Sequence, residues 1–208
     1  MESLAKKSYP KAMYIIGKRY LSRKLEEEGL ALIKKAADQG DADACLQVGL
    51  IYREKRDFSM AFEWILKAHN LKKAEATFFL GSLYHQGNHH DGGVPDLEKA
   101  AKYYDQAARQ GLAIAQYNLG VLHMAGVPSN GRVVKNESMA IEYWKLAAEN
   151  GVDLACVNLA SLYTSGTADE NGSRFIDKEK AMNYILKVKD KVRFEKDLAM
   201  LKEKLSTI

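Results

Sequence analysis

Only three prolines and two cysteines occur among 208 residues. So little proline leaves long stretches free to be helical. No run of about 18 apolar residues exists, so no segment reads as a membrane-spanning helix. The first residues, Met1-Glu2-Ser3-Leu4-Ala5-Lys6-Lys7, lack the apolar stretch of a secretory signal. Catalytic signatures are missing as well: there is no Gly-Lys-Ser/Thr phosphate loop and no Gly-x-Ser-x-Gly elbow. Ser3-Leu4-Ala5-Lys6 matches the Ser-x-x-Lys of penicillin-recognising enzymes, but its companion motifs are absent and the match reads as coincidence. No nucleophile–base pair can be placed, and the chain reads as non-catalytic and free of cofactors.

Acidic residues are scarce at one end. Residues 1–24 hold Lys6, Lys7, Lys11, Lys18, Arg19, Arg23 and Lys24 against Glu2 alone. That segment is +6 within a chain of net charge +4, so the remainder is nearly neutral. A basic end suits an acidic partner or a nucleic-acid backbone, or else a solvated helix face beside Glu26, Glu27 and Glu28. The apolar fraction of 47% is ordinary for a folded protein.

Aligning the chain with itself gives the strongest signal. Ala115-Gln116-Tyr117-Asn118-Leu119-Gly120, ending at His123, has counterparts from Ala12 to Tyr20, Ala44 to Tyr52, Ala76 to Tyr84 and Ala155 to Tyr163. A small residue recurs at Gly17, Gly49, Gly81, Gly120 and Ala160. A second helical stretch follows each, clearest from Lys99 to Ala108 and from Met139 to Ala148, and several close on Ala-Ala-x-x-Gly. Ala115, Leu119 and Leu122 fall at i, i+4 and i+7, one face of a helix. Glycine inside a helix costs about 1 kcal/mol relative to alanine, tolerable where the missing side chain lets a second helix cross closely. One helix pair cannot cover its own apolar faces, so neighbouring pairs must stack.

The pattern Ala-x-x-Asn-Leu-Gly-x-x-Tyr/His, then Lys-Ala-x-x-Tyr-Trp-x-x-Ala-Ala-x-x-Gly, resembles the Sel-one-like repeat family, relatives of the tetratricopeptide repeats. The resemblance implies an all-α fold, a right-handed α-α superhelix or solenoid of about five helix-turn-helix repeats. The expected repeats are 9–40, 41–72, 73–111, 112–151 and 152–190, with a capping helix in 191–208 whose Leu198, Leu201 and Leu205 share one face. Arg53 to Asp57 replaces the family's Gly-x-Gly-Val loop, so helix placement there is less defined. The stretch from Leu4 to Ala12 aligns with that from Ala147 to Ala155, with Ser8 in the place of Gly151. It therefore reads as the tail of a preceding second helix, in a chain cut from a longer protein.

Longer repeats owe their extra residues to loops at Gly87–Pro95, Gly126–Arg132 and Ser165–Ser173. At the start of the first of these, His85, His89, His90 and Asp91 form the one metal-like cluster; His85 and His89 could share a helix face, but His89 and His90 fall in glycine-rich chain. A solvated loop is the preferred reading, and no metal is expected. Cys45 and Cys156 occupy equivalent positions three repeats apart, too far for a disulfide. Buried free thiols in the cytoplasm or another reducing compartment are expected. Some relatives staple each helix pair with cysteines, and this chain does not. Asn136-Glu137-Ser138 and Asn171-Gly172-Ser173 are glycosylation sequons that matter only on the secretory path.

The family's first helices line the concave side of the solenoid. By that register Tyr14, Lys18, Arg53, Ser82, His85, Tyr117, Asn118, Val121, Asn158 and Ser161 are the candidate partner-binding residues. Tyr117 can anchor a ligand, while Asn118 and Asn158 can bond an extended backbone or satisfy an internal group. The expected function is a scaffold or adaptor binding a peptide or partner protein on the concave face. RNA binding through the basic end is the alternative, disfavoured because no side-chain code recurs at equivalent repeat positions. Self-association through an open N-terminal repeat is a further expectation.

Overall fold

The computed structural model describes residues 2–89, 93–129, 132–168 and 173–207. The chain divides into two compact units, Met1–Gln110 and Gly111–Ile208. The first unit holds α1 (Glu2–Ser22), α2 (Glu26–Asp38), α3 (Ala42–Glu54), α4 (Phe58–Asn70), α5 (Ala74–Gln86) and α6 (Leu97–Arg109). The second holds α7 (Ala113–Ala125), α8 (Glu137–Glu149), α9 (Asp153–Ser165), α10 (Lys178–Lys187) and α11 (Glu195–Thr207). It also carries two short antiparallel ladders, β1 (Val127–Ser129) with β2 (Arg132–Val134), and β3 (Thr167–Ala168) with β4 (Arg174–Phe175).

Consecutive helices pair as α1 with α2, α3 with α4, and α5 with α6 in the first unit. The second unit pairs α7 with α8 and α9 with α10, and α11 packs on α9. Four second helices start at a carboxylate or amide that accepts a hydrogen bond from the third residue beyond it. Asp57 takes Met60 N at 3.1 Å, while Asp96 takes Lys99 N, Asn136 takes Met139 N and Asp177 takes Lys180 N, each at 2.9 Å. Such caps satisfy amides that have no partner inside the helix. Gly40, Gly111 and Gly151 follow the helix ends with φ near +85°, where a side chain would strain the backbone.

The recurring small residues sit where the helices of a pair cross. A Cβ added to Gly17 would lie 2.6 Å from Ile33 Cγ1 and 2.8 Å from Gly29 O. At Gly49 it would meet Ile65 Cγ1 at 2.5 Å, at Gly81 Tyr104 Cδ1 at 2.7 Å, and at Gly120 Trp144 Cδ1 at 2.6 Å. Ala160 at the fifth position is fully buried. The first unit's core gathers Ile33, Val48, Ile65 and Leu80, and the second's Leu159, Ile185 and Leu201. Leu198, Leu201 and Leu205 of α11 are all buried in that second core.

Three expectations need correction. The N-terminal stretch is not a separate tail: α1 runs unbroken from Glu2 to Ser22 with Pro10 inside it. Ser8 stands where other repeats place a positive-φ glycine, and serine has no comparable ease there, so the helix continues. Two of the three loops carry β-ladders. The link at 53–57 needs no glycine: Arg53 and Glu54 complete α3, Arg56 adopts φ 62°, and Asp57 caps α4.

Candidate functional site

In the second unit, α7 and α9 lie beside each other with a cleft of about 480 Å³ between them. Tyr117, Val121, Met124 and Ala125 come from one face of α7, at i, i+4, i+7 and i+8. Asn158, Ser161, Leu162 and Ser165 come from α9 at i, i+3, i+4 and i+7, and Trp144 of α8 completes the lining. Gly120 is what lets Trp144 approach this closely. The indole Nε1 donates to the carbonyl of Tyr117 at 3.2 Å, so the ring is held and its one polar hydrogen is used. Trp144 is buried, and the little of its ring that reaches the cleft is apolar. Among the described residues, no acidic or basic side chain lines the cleft. Its polar groups are the amide of Asn158, the hydroxyls of Ser161 and Ser165, and the phenol of Tyr117.

Four of the ten residues read from sequence meet here: Tyr117, Val121, Asn158 and Ser161. Asn118, one residue away, does not line the cleft; its amide donates to Ile114 O of its own helix at 2.8 Å. The other five lie in the first unit and make separate contacts. Tyr14 is half-buried with the ammonium groups of Lys11 and Lys18 at 5.1 and 5.7 Å from its ring centroid. Arg53 lays its guanidinium 4.7 Å over the ring of Phe79. Ser82 accepts from Gln86 Nε2 at 3.3 Å, and His85 Nδ1 lies 3.4 Å from the Tyr104 hydroxyl. Met124, Trp144 and Leu162 escaped the sequence reading, because an apolar residue on a repeat helix reads first as packing.

The electrostatics of the first unit are those of a packed scaffold. Burial lowers the pKa of His85 and favours its neutral form. Burial also pushes the Tyr104 phenol up to about 12, so it stays protonated. Asp43 takes hydrogen bonds from Lys11 and from Lys73, the latter at 2.8 Å, and these hold its carboxyl below the usual range. His89 departs from the expected solvated loop: it is buried, its ring 4.4 Å from that of Tyr84. Tyr84, its ring stacked on that of Tyr103 with centroids 5.5 Å apart, gives the imidazole a surface to cover. His90 and Asp91 lie outside the described residues, and no group of three or more metal-ligating side chains occurs among those described. Both cysteines are free and buried, with thiol pKa values raised by that burial.

Repeated helix pairs that cross at a small residue define an α-solenoid of the interaction-scaffold class. The chain belongs to the Sel1 repeat family: the repeat matches residues 10–41, 42–71, 74–112, 113–152 and 153–187. Sel1 repeat proteins are in general protein-interaction scaffolds without catalytic activity. Cytochrome c oxidase assembly factor 7 of Xenopus tropicalis is 26% identical over 149 residues, 67% of this chain and 63% of that protein. Chitin synthase regulatory factor 3 of Schizosaccharomyces pombe is 27% identical over 146 residues, but only 15% of it is covered. The chain thus spans less than two thirds of either relative. A Sel1 repeat protein from Oxalobacter formigenes superposes with a TM-score of 0.71 at 25% identity, covering 86% of this chain and 71% of that one.

Proposed function

We propose that this chain is a non-catalytic adaptor, and that the α7–α9 cleft holds an extended, uncharged segment of a partner protein. The observation that carries this reading is the lining itself: anchored aromatic and apolar surface, edged by neutral hydrogen-bonding groups. The cleft, about 480 Å³ in volume, lies open to solvent, which suits a segment laid across it and not an enclosed small molecule. An apolar side chain fits against Trp144, Val121 and Met124. The Asn158 amide, which both donates and accepts, is placed to pair with the peptide group beside it. Tyr117, aromatic and partly buried, has the character of a usual interface anchor. The relatives that are assembly and regulatory factors by name agree with a scaffold role, in which the partner supplies any chemistry.

The test is a peptide-display selection on the purified chain, followed by titration of the selected peptides. Trp144 fluorescence would be read in a Trp64→Phe background. Selected sequences are expected to carry an apolar residue in a neutral context and to perturb Trp144. Their affinity should fall at least tenfold on Val121→Asp and change little with salt, because no charge lines the cleft. Selection of acidic or basic sequences alone, with binding that ignores Val121→Asp, would overturn the assignment.

A further inference from the structure

A second cleft, of about 410 Å³, lies in the first unit, where the last turn of α1 and the first turns of α2 meet the C-terminal half of α3. Its lining falls wholly between Leu21 and Lys55, inside the first two repeats, and shares no residue with the α7–α9 cleft. The floor is half-buried and apolar, made by Leu21, Leu30 and Ile51. On α3, Gln47, Ile51 and Glu54 fall at i, i+4 and i+7, one face of the helix. By the register of Gly49 and Ala160 they are the counterparts of Asn158, Leu162 and Ser165, and Leu21 is the counterpart of Met124. The two clefts thus use corresponding faces of their repeats and differ in charge.

Where α9 offers Ser165, α3 offers Glu54, and α2 adds Glu26 and Glu27; against these carboxylates the described lining has a single cation, Lys55. Helix physics accounts for two of the carboxylates and not for the third. Glu26 and Glu27 stand in the first turn of α2, where the helix dipole favours negative charge. Glu54 is the last residue of α3, the end that disfavours it. All three are exposed, and among the described residues none of them has an ion pair. Nor are they gathered closely enough to hold a metal ion, since no such group of side chains occurs among the described residues. An apolar floor with spaced carboxylates above it matches a cation on an apolar stem. Arginine and lysine lay their methylenes on apolar surface and keep the charged head at its edge. Arginine adds a planar fork of donors that can serve more than one carboxylate.

We propose that this cleft seats an arginine from a basic segment of a partner protein. The methylene stem lies on Leu21, Leu30 and Ile51, and the guanidinium sits among Glu26, Glu27 and Glu54. The site is independent of the α7–α9 cleft, and either stands if the other fails.

The test is a nuclear magnetic resonance titration of the whole chain, methyl-labelled at leucine and isoleucine, with the capped peptide Ala-Leu-Arg-Ala-Arg-Ala. The peptide should shift the methyl signals of Leu30 and Ile51. It should bind at least fivefold tighter than the same peptide with citrulline for arginine, which keeps the shape and loses the charge. Added salt should narrow that gap. The paired variant Glu27→Gln with Glu54→Gln changes only exposed side chains, so its circular dichroism should match wild type, and it should bind at least tenfold more weakly. Val121→Asp, in the other cleft, should leave the binding unchanged. No shift at millimolar peptide, equal binding of the arginine and citrulline peptides, or binding indifferent to the paired variant would overturn the proposal. So would methyl shifts confined to the second unit and lost on Val121→Asp, which would place the peptide in the α7–α9 cleft. A peptide-free dimer that the paired variant dissolves would also overturn it, since the occupant is then a second copy.

Discussion

Replacing Gly120 by alanine sets two well-known effects against each other. In an open helix the change stabilises by about 1 kcal/mol, because glycine is the poorer helix former. Here the new Cβ would lie 2.6 Å from both Cδ1 and Nε1 of Trp144 and 3.1 Å from Ala140 O. Real carbon contacts do not occur at such distances, so the indole or the whole of α8 must move. Trp144 is 5% exposed, and its Nε1 is tied to Tyr117 O, so neither shift is free. Overpacking of this kind costs about 1–3 kcal/mol, and losing the buried indole hydrogen bond adds roughly 1 kcal/mol. After the gain in propensity, Gly120→Ala should destabilise the chain by about 2 kcal/mol. Urea unfolding followed by circular dichroism at 222 nm measures this directly. The same substitution in a Trp144→Leu background removes the collision, so its effect there should approach neutrality or become stabilising. A Gly120→Ala single variant that gains about 1 kcal/mol would refute the close-crossing explanation of the repeat glycines.

Two other outcomes follow from the structure. Asp43 has its folded pKa held down by hydrogen bonds from Lys11 and Lys73. Its contribution is therefore present above the ordinary carboxylate value of about 3.9, and is lost as pH falls through the lower folded value. Asp43→Asn should cost roughly 0.5–1 kcal/mol at pH 7, the scale of a partly exposed pair, and should flatten the acid limb of the stability profile below about pH 4. Cys45 and Cys156, free and buried with raised pKa values, should react with a thiol reagent at pH 7.5 only as fast as the fold opens. Two equivalents should appear promptly in denaturant, and prompt reaction of either thiol in the native chain would contradict its burial.

The repeat was legible because its physics is local and periodic. A glycine that permits a helix crossing must recur wherever the crossing recurs, and Gly17, Gly49, Gly81 and Gly120 announce the architecture without reference to coordinates. One of the two hairpins also has a signature in the chain. Val127 to Val134 places Asn130-Gly131 between two β-prone ends, a strong hairpin signature. Asn-Gly suits a plain surface loop equally well, so the pair alone does not decide between the two. His89 could not be placed from sequence, since its burial depends on Tyr84 presenting a ring to the returning chain. The cleft was half legible. Helix register brought Tyr117, Val121, Asn158 and Ser161 to one face, whereas the part played by Trp144 depends on how closely α8 crosses α7. Asn118 shares the family position of Asn158, yet its amide bonds back to Ile114; sequence equivalence does not decide between those uses.

Affinity purification of the chain from its native source tests the adaptor reading most directly, using wild type and Val121→Asp, each with and without nuclease treatment. A stoichiometric protein that survives nuclease on wild type and is lost from Val121→Asp is the expected result. A protein set identical on both chains, or loss of every protein with nuclease and bound RNA in the untreated half, would contradict it.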